Sequence, residues 1–141
     1  MRIDYAAIEP ELISRFRRLT RELDATSIDA KLRALVELRV SQINRCLYCI
    51  HVHTDEALKL GEPQERLDQL SGWKDSPDFS ERERAAFAWS EALTATVRIH
   101  DDEEEFAILK VLFSEQEIVA LGLLISLANF WNRMAGGFRR R

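Results

Sequence analysis

The chain has 141 residues, 20 basic and 24 acidic for a net charge of −4, with 46% hydrophobic and 31% charged. That balance supports one sizeable core beneath a charged surface and excludes collagen-like, disordered and membrane-spanning classes. Net negative charge removes the long-range attraction exerted by a phosphate backbone or an anionic bilayer, so neither nucleic acid nor membrane is an expected partner.

Residues 1–141 are expected to form a single domain. Asp4, Glu9 and Glu11 stand where a secretory signal needs an uninterrupted apolar stretch, which points to a cytoplasmic location. Two cysteines cannot staple a domain of this size, and a close pair in a reducing compartment reads as reactive or metal-binding.

Apolar residues recur at three- and four-residue spacing and strand-like alternation is absent, so the expected fold is all-α, a bundle of six or seven helices. The first helix starts at Pro10 and aligns Leu12, Ile13, Phe16, Leu19 and Leu23 on one face, opposite a basic one. The second runs from about Asp29 to Asn44, with Leu32, Leu35, Val36, Arg39, Val40 and Ile43 on its face. The third, from about Cys46 to Leu60, stops at Gly61, a residue suited to the left-handed conformation beyond a helix end. Pro63 opens a short fourth helix through Leu70, and Ser71 to Phe79 reads as a surface loop.

Ser80 with Glu83 forms a capping box that starts a helix reaching about Val97, and Ser114 with Glu117 repeats the signature. Between them Asp101 and Asp102 cap a helix carrying Phe106, Ile108, Leu109 and Leu112, with His100 part of its start. The last helix holds Ile118 to Trp131, apolar around nearly its whole circumference yet shorter than the roughly 20 residues of a membrane span. A helix without a polar face must be covered on every side, so part of it is predicted to lie in a subunit interface. The closing Phe138-Arg139-Arg140-Arg141 reads as a solvated basic tail.

Both cysteines and two of the three histidines fall between Cys46 and His53, beside a predicted helix N-terminus. At about 100° per residue, Cys46, Cys49 and His53 lie on one stripe, whereas His51 points away and reads as a partly buried polar residue. Spacing of i, i+3 brings two α-carbons to about 5 to 6 Å, within disulfide range, so the pair can cycle between dithiol and disulfide without unfolding. A thiol of pKa about 8.5 is mostly protonated at neutral pH unless a positive helix end or a base acts on it.

His53 can take the proton of Cys49 and remain as its counter-charge, which makes Cys49 the attacking thiol and Cys46 the resolving one. Glu37, on the preceding helix, is the candidate carboxylate to orient the imidazole; its alternative is a pair with Arg39. A zinc reading of the same cluster needs four converging ligands, and the remaining histidine, His100, is remote, so no metal or cofactor is expected. Tyr48 and Trp89 read as packing residues.

The segment from Leu35 to His53, containing V-S-x-x-N-x-C-x-x-C-x-x-x-H, resembles the AhpD-like branch of the carboxymuconolactone decarboxylase family. Ser80 to Ala86, Phe113 to Ile118 and Asn129-Phe-Trp-Asn-Arg133 are similar to its small single-domain members. The resemblance implies an all-helical fold assembled into trimers or hexamers. It also implies an antioxidant peroxidase reducing hydroperoxides with a thiol pair, recharged by a dithiol such as a lipoyl-type one. On that pattern Cys49 attacks, Cys46 resolves and His53 belongs to the proton relay. The best-known AhpD enzymes place the relay glutamate where this chain has Ala34, and a histidine where it has Tyr48; short members tend to have a glutamate at the place of Glu37. The alternatives are lactone decarboxylation in aromatic catabolism, a non-catalytic redox-sensing disulfide-exchange module, and a zinc-bound structural module.

Overall fold

The computed structural model describes residues 2–95 and 103–140. Val97, His100, Asp101 and Asp102 lie outside the described residues, and with them the expected end of one helix and cap of the next. The described chain is helical and contains no strand: α1 Tyr5–Ile8, α2 Pro10–Glu22, α3 Ala30–Ile43, α4 Leu47–Lys59, α5 Gln64–Gln69, α6 Glu81–Thr94, α7 Glu103–Leu112 and α8 Glu115–Gly137. The helix beyond those expected is α1, a single turn capped by the Asp4 carboxylate, which accepts from the Ala6 and Ala7 amides. Both predicted capping boxes form at Ser80 and Ser114, and Gly61 takes φ of 89° as its position after α4 requires.

Helix α3 is the centre of the bundle, packed on α4, α6 and α8. Its buried residues Leu32, Ala34, Leu35, Val36, Leu38, Val40 and Ser41 surround the helix rather than marking one face. Arg39 is accordingly no core residue; it is held at the bundle edge by Glu91 at 2.7 Å. Fully buried Phe87, Leu109, Leu121 and Ile125 bring α6, α7 and α8 into the same core. Burying each such side chain contributes about 1.5–3 kcal/mol before the entropy of ordering it is counted.

The apolar face expected on α2 is narrower than its sequence suggests. Ile13 is buried and Leu23 follows it inside, but Leu12 and Leu19 are 49% and 46% exposed. The helix lies at the periphery and meets α8 along one seam, where Phe16 stacks on Phe130 at 4.6 Å and the Trp131 indole donates to Thr20 at 2.8 Å.

The segment from Ser71 to Phe79 is not merely a surface loop, because Trp73, Ser76 and Phe79 are buried. Trp73 and Phe79 meet the Phe87 ring edge-on, and the Arg84 guanidinium donates to the carbonyls of Trp73, Lys74 and Ser76. Helix α8 spans 23 residues, long and apolar enough to cross a membrane by length and composition, and half of its most apolar stretch is buried in this fold. Residues 138–140 are not a free tail: the Arg140 amide donates to the Ala135 carbonyl at 2.9 Å and the Arg2 amide to that of Phe138 at 2.8 Å.

A polar network fastens the end of α3 to α8. Asn44 Nδ2 donates to Asn129 Oδ1 at 3.0 Å and Asn132 Oδ1 at 2.9 Å, and Asn132 Nδ2 donates to Ser41 Oγ at 3.1 Å. Asn129 continues it to Thr94 on α6. Because Asn132 is buried, removing its amide strands polar partners away from water. Asn132→Ala is expected to lower unfolding free energy by about 1–3 kcal/mol in urea titration; a loss below about 0.5 kcal/mol would mean that the network carries no net stability.

Candidate functional site

Helix α3 ends at Ile43, and the chain turns through Arg45, which adopts φ of 53°, before Cys46 becomes the N-cap of α4. That left-handed conformation is uncommon outside glycine, and it persists because both sides of the turn are anchored. The Cys46 amide donates to Ser41 O at 3.1 Å, and Asn44 is held by α8. The corner delivers both cysteines to the first turn of α4, where free amides and the helix dipole favour negative charge.

Cys46 and Cys49 are joined as a disulfide with α-carbons 5.3 Å apart, as their spacing predicts. Both are buried, packed with Ala135 and flanked by Tyr48. One turn further along α4, His53 lines the same cavity as Cys49, a space of about 410 Å³. His51 departs from expectation: it is exposed on the far side of the helix, without the burial inferred for it. Tyr48 is also more than packing, since its ring lines the cavity, whereas Trp89 is buried in the core.

Glu37 faces α4 across the bundle and does not pair with Arg39. Its Oε2 lies 3.8 Å from His53 Nδ1, and both side chains are largely shielded, at 17% and 15% exposure. Ala34, one turn earlier on α3, lines an adjoining cavity together with Glu37, so both positions where a relay glutamate was considered reach the same region. The nearest acid to His53 is a residue that the sequence reading missed. Glu56 Oε2 accepts a hydrogen bond from His53 Nδ1 at 2.8 Å. The signal was present as i, i+3 spacing on one helix. With Nδ1 committed to Glu56, Nε2 is the basic nitrogen of the neutral ring.

These contacts set the charges. Burial raises the Glu37 carboxyl above its ordinary range, against the opposing pull of His53. Burial disfavours the His53 imidazolium, but the hydrogen bond to Glu56 and the nearby Glu37 charge outweigh it, and the net shift is upward. The His53 hydrogen bond holds Glu56 below its ordinary value. Donor atoms of Glu37, His53 and Glu56 lie within 4.8 Å of one another, the one such trio among the described residues, so these are the side chains that could hold a cation. The two cysteines are tied up with each other as a disulfide and are not members of that trio.

An all-helical bundle with a redox-capable cysteine pair at a helix start and a histidine one turn on defines a protein of the AhpD-like class. The chain belongs to the carboxymuconolactone decarboxylase family, whose sequence profile matches residues 10–92, including every residue from Glu37 to His53. It is 32% identical over 134 residues to the uncharacterised protein YdfG of Bacillus subtilis, covering 95% of this chain and 91% of that one. A crystal structure from Agrobacterium tumefaciens, of a protein of unknown function provisionally assigned to antioxidant defence as an AhpD, superposes with a TM-score of 0.95. The two are 32% identical, over 99% of this chain and 96% of that one. The debrominase Bmp8 in complex with 2,3,4-tribromopyrrole shares the fold, with a TM-score of 0.86 and 23% identity over 96% of this chain and 72% of that one.

The His53–Glu56 pair predicts a pH signature. Because the folded-state value of His53 is raised, its stabilising contribution is full below the unfolded value of about 6.5 and is lost as pH rises through the folded one. Glu56→Gln should move the His53 titration downward when followed by NMR of its ring protons. The stability lost should stay below about 1 kcal/mol, since Glu56 is half exposed. An unchanged His53 midpoint would contradict the assignment of Glu56 as its partner.

Proposed function

We propose that the protein is a thiol-dependent peroxidase that reduces hydroperoxides through a Cys46/Cys49 dithiol–disulfide cycle. The observation that carries this reading is the pairing of the two cysteines at the α4 N-terminus, with Cys49 on one cavity with a histidine whose protonated form is favoured by its surroundings. In the dithiol state, His53 takes the Cys49 proton and the imidazolium stays beside the thiolate as counter-charge.

The thiolate sulfur attacks one peroxide oxygen, the O–O bond breaks, and the leaving alkoxide takes a proton to depart as an alcohol. Cys49 is left as sulfenic acid. The Cys46 thiol then attacks that sulfur, releasing water and closing the disulfide over a separation that already suits it. An external dithiol, for which a lipoyl-type group is the candidate, supplies two electrons and two protons to reopen the pair. Glu37, 3.8 Å from His53 and with its carboxyl raised by burial, serves as the second member of the relay. Glu56 positions His53 and fixes its tautomer.

The same reading includes a homo-oligomer, trimeric or hexameric. Support comes from α7 and α8, where Val111, Val119 and Leu123 stand 82%, 63% and 52% exposed. A close cysteine pair favours peroxide reduction over lactone decarboxylation, which has no use for a dithiol.

The mechanism separates two variants. With hydrogen peroxide or cumene hydroperoxide and a panel of dithiols, Cys49→Ser should abolish turnover. Cys46→Ser should permit one attack and leave Cys49 as sulfenic or sulfinic acid, detectable as a mass increase of the intact protein. Full multiple turnover in both variants would overturn the reading, and a single oxidation of the wild-type chain without continuing peroxide consumption would mark it as a redox sensor.

A further inference from the structure

The basic segment 138–140 folds back onto the redox site. After α8, Arg139 adopts φ of 51° and the Arg140 amide bonds to the Ala135 carbonyl, so the chain reverses over the residue that packs against the disulfide. The reversal is fixed from its other side by the Arg2 amide on Phe138 and by the Tyr5 ring, 5.2 Å from that of Phe138. Arg140 is thereby laid over the Tyr48 ring at 4.8 Å, and its Nη1 donates to the Tyr5 hydroxyl at 3.3 Å. It lines the cavity into which Cys49 opens, and α2 contributes a second cation, Arg17, to the same lining.

A guanidinium carries five N–H donors, and its planar fork suits a carboxylate. Among the described residues neither Arg140 nor Arg17 has a carboxylate within 4.0 Å, unlike Arg33, Arg39, Arg66 and Arg82. The two acids in the cavity wall, Glu37 and Glu56, are both directed at His53. Tyr48, Trp131 and Val52 supply apolar wall, and about 410 Å³ is a volume suited to a small organic molecule.

We propose that the cavity beside Cys49 binds an organic carboxylate, with the ring or chain against Tyr48 and Trp131 and the carboxylate on Arg140, so that the ligand presented to the redox pair is an anion. The reaction it enters rests on the peroxidase reading, whereas the binding itself does not. Two molecules that must reach Cys49 could carry the carboxylate, the hydroperoxide or the dithiol reductant. Arg140 selects by charge in either case, and in the first case the two-electron chemistry is unchanged: the acid hydroperoxide leaves as the corresponding hydroxy acid.

The test has a binding arm and a turnover arm. In calorimetry with the oxidised protein, 4-isopropylbenzoate should bind saturably and at least about tenfold more tightly than 4-isopropylbenzamide. Arg140→Gln should erase that preference, and Arg140→Lys, which keeps the charge, should retain part of it. Equal binding of acid and amide, or a preference untouched in Arg140→Gln, overturns the proposal.

In turnover, 4-carboxycumene hydroperoxide is compared with cumene hydroperoxide on dihydrolipoamide, and dihydrolipoate with dihydrolipoamide on cumene hydroperoxide. An Arg140-dependent preference in kcat/KM of about tenfold in the first comparison assigns the carboxylate to the peroxide. The same preference in the second assigns it to the reductant. No preference in either comparison overturns the proposal that the reacting ligand is anionic. Arg140-dependent binding of the acid with no turnover of any hydroperoxide would instead overturn the peroxidase reading and leave the anion site standing.

Discussion

The site depends on one tight corner between α3 and α4. Ile43 ends one helix and Leu47 begins the next, and the three residues between them must reverse direction while leaving Cys46 as an N-cap. Arg45 accomplishes this in a left-handed conformation that carries an intrinsic cost for a residue with a β-carbon. The conformation is held because Ser41 O accepts the Cys46 amide and because Asn44 is anchored to Asn129 and Asn132 of α8. Release that anchor and the two cysteines lose both their place at the helix start and their distance from Glu37 of α3. Stability of the core and chemistry of the site thus share residues.

From that corner the electrostatics follow in order. The first turn of α4 offers unsatisfied amides to the sulfurs. His53, one turn on, is pulled toward its neutral form by burial, and the hydrogen bond to Glu56 shifts it back toward the protonated one. Glu37 reaches the same imidazole from the central helix, with its proton held more tightly because water is excluded. Cys49 of the disulfide, an imidazole shifted toward its protonated form and a carboxyl shifted toward its neutral one therefore meet on walls built by α2, α3, α4 and α8, with Tyr5 and Arg140 beside them.

Legibility in the sequence followed the range of the interactions involved. Cys46, Cys49 and His53 share one helix, so their angular relation and the 5.3 Å separation of the cysteines could be read from spacing. The capping boxes at Ser80 and Ser114 are equally local. Glu37 could be nominated as an acid on the preceding helix, and the family resemblance added weight, but its meeting with His53 rather than Arg39 depends on how α3 packs on α4. Glu56 was within reach, because it is the one acid at three- or four-residue spacing from His53 on that helix. Arg140 was out of reach: a basic tail and a folded-back arginine read alike until Tyr5 and Tyr48 are seen beneath it. The exposure of Leu12 and Leu19 was hidden for a related reason, since periodicity shows which residues align and not how wide a neighbour covers them.

The central claim, that His53 and the helix start hold Cys49 as a thiolate near neutrality, can be measured on a chain with a single cysteine. In reduced Cys46→Ser, the pH dependence of Cys49 alkylation by iodoacetamide should have its midpoint at least about one unit below the roughly 8.5 of a free thiol. Adding His53→Gln should move that midpoint upward by a comparable amount. A midpoint at the free-thiol value, the same with and without the imidazole, would contradict the account.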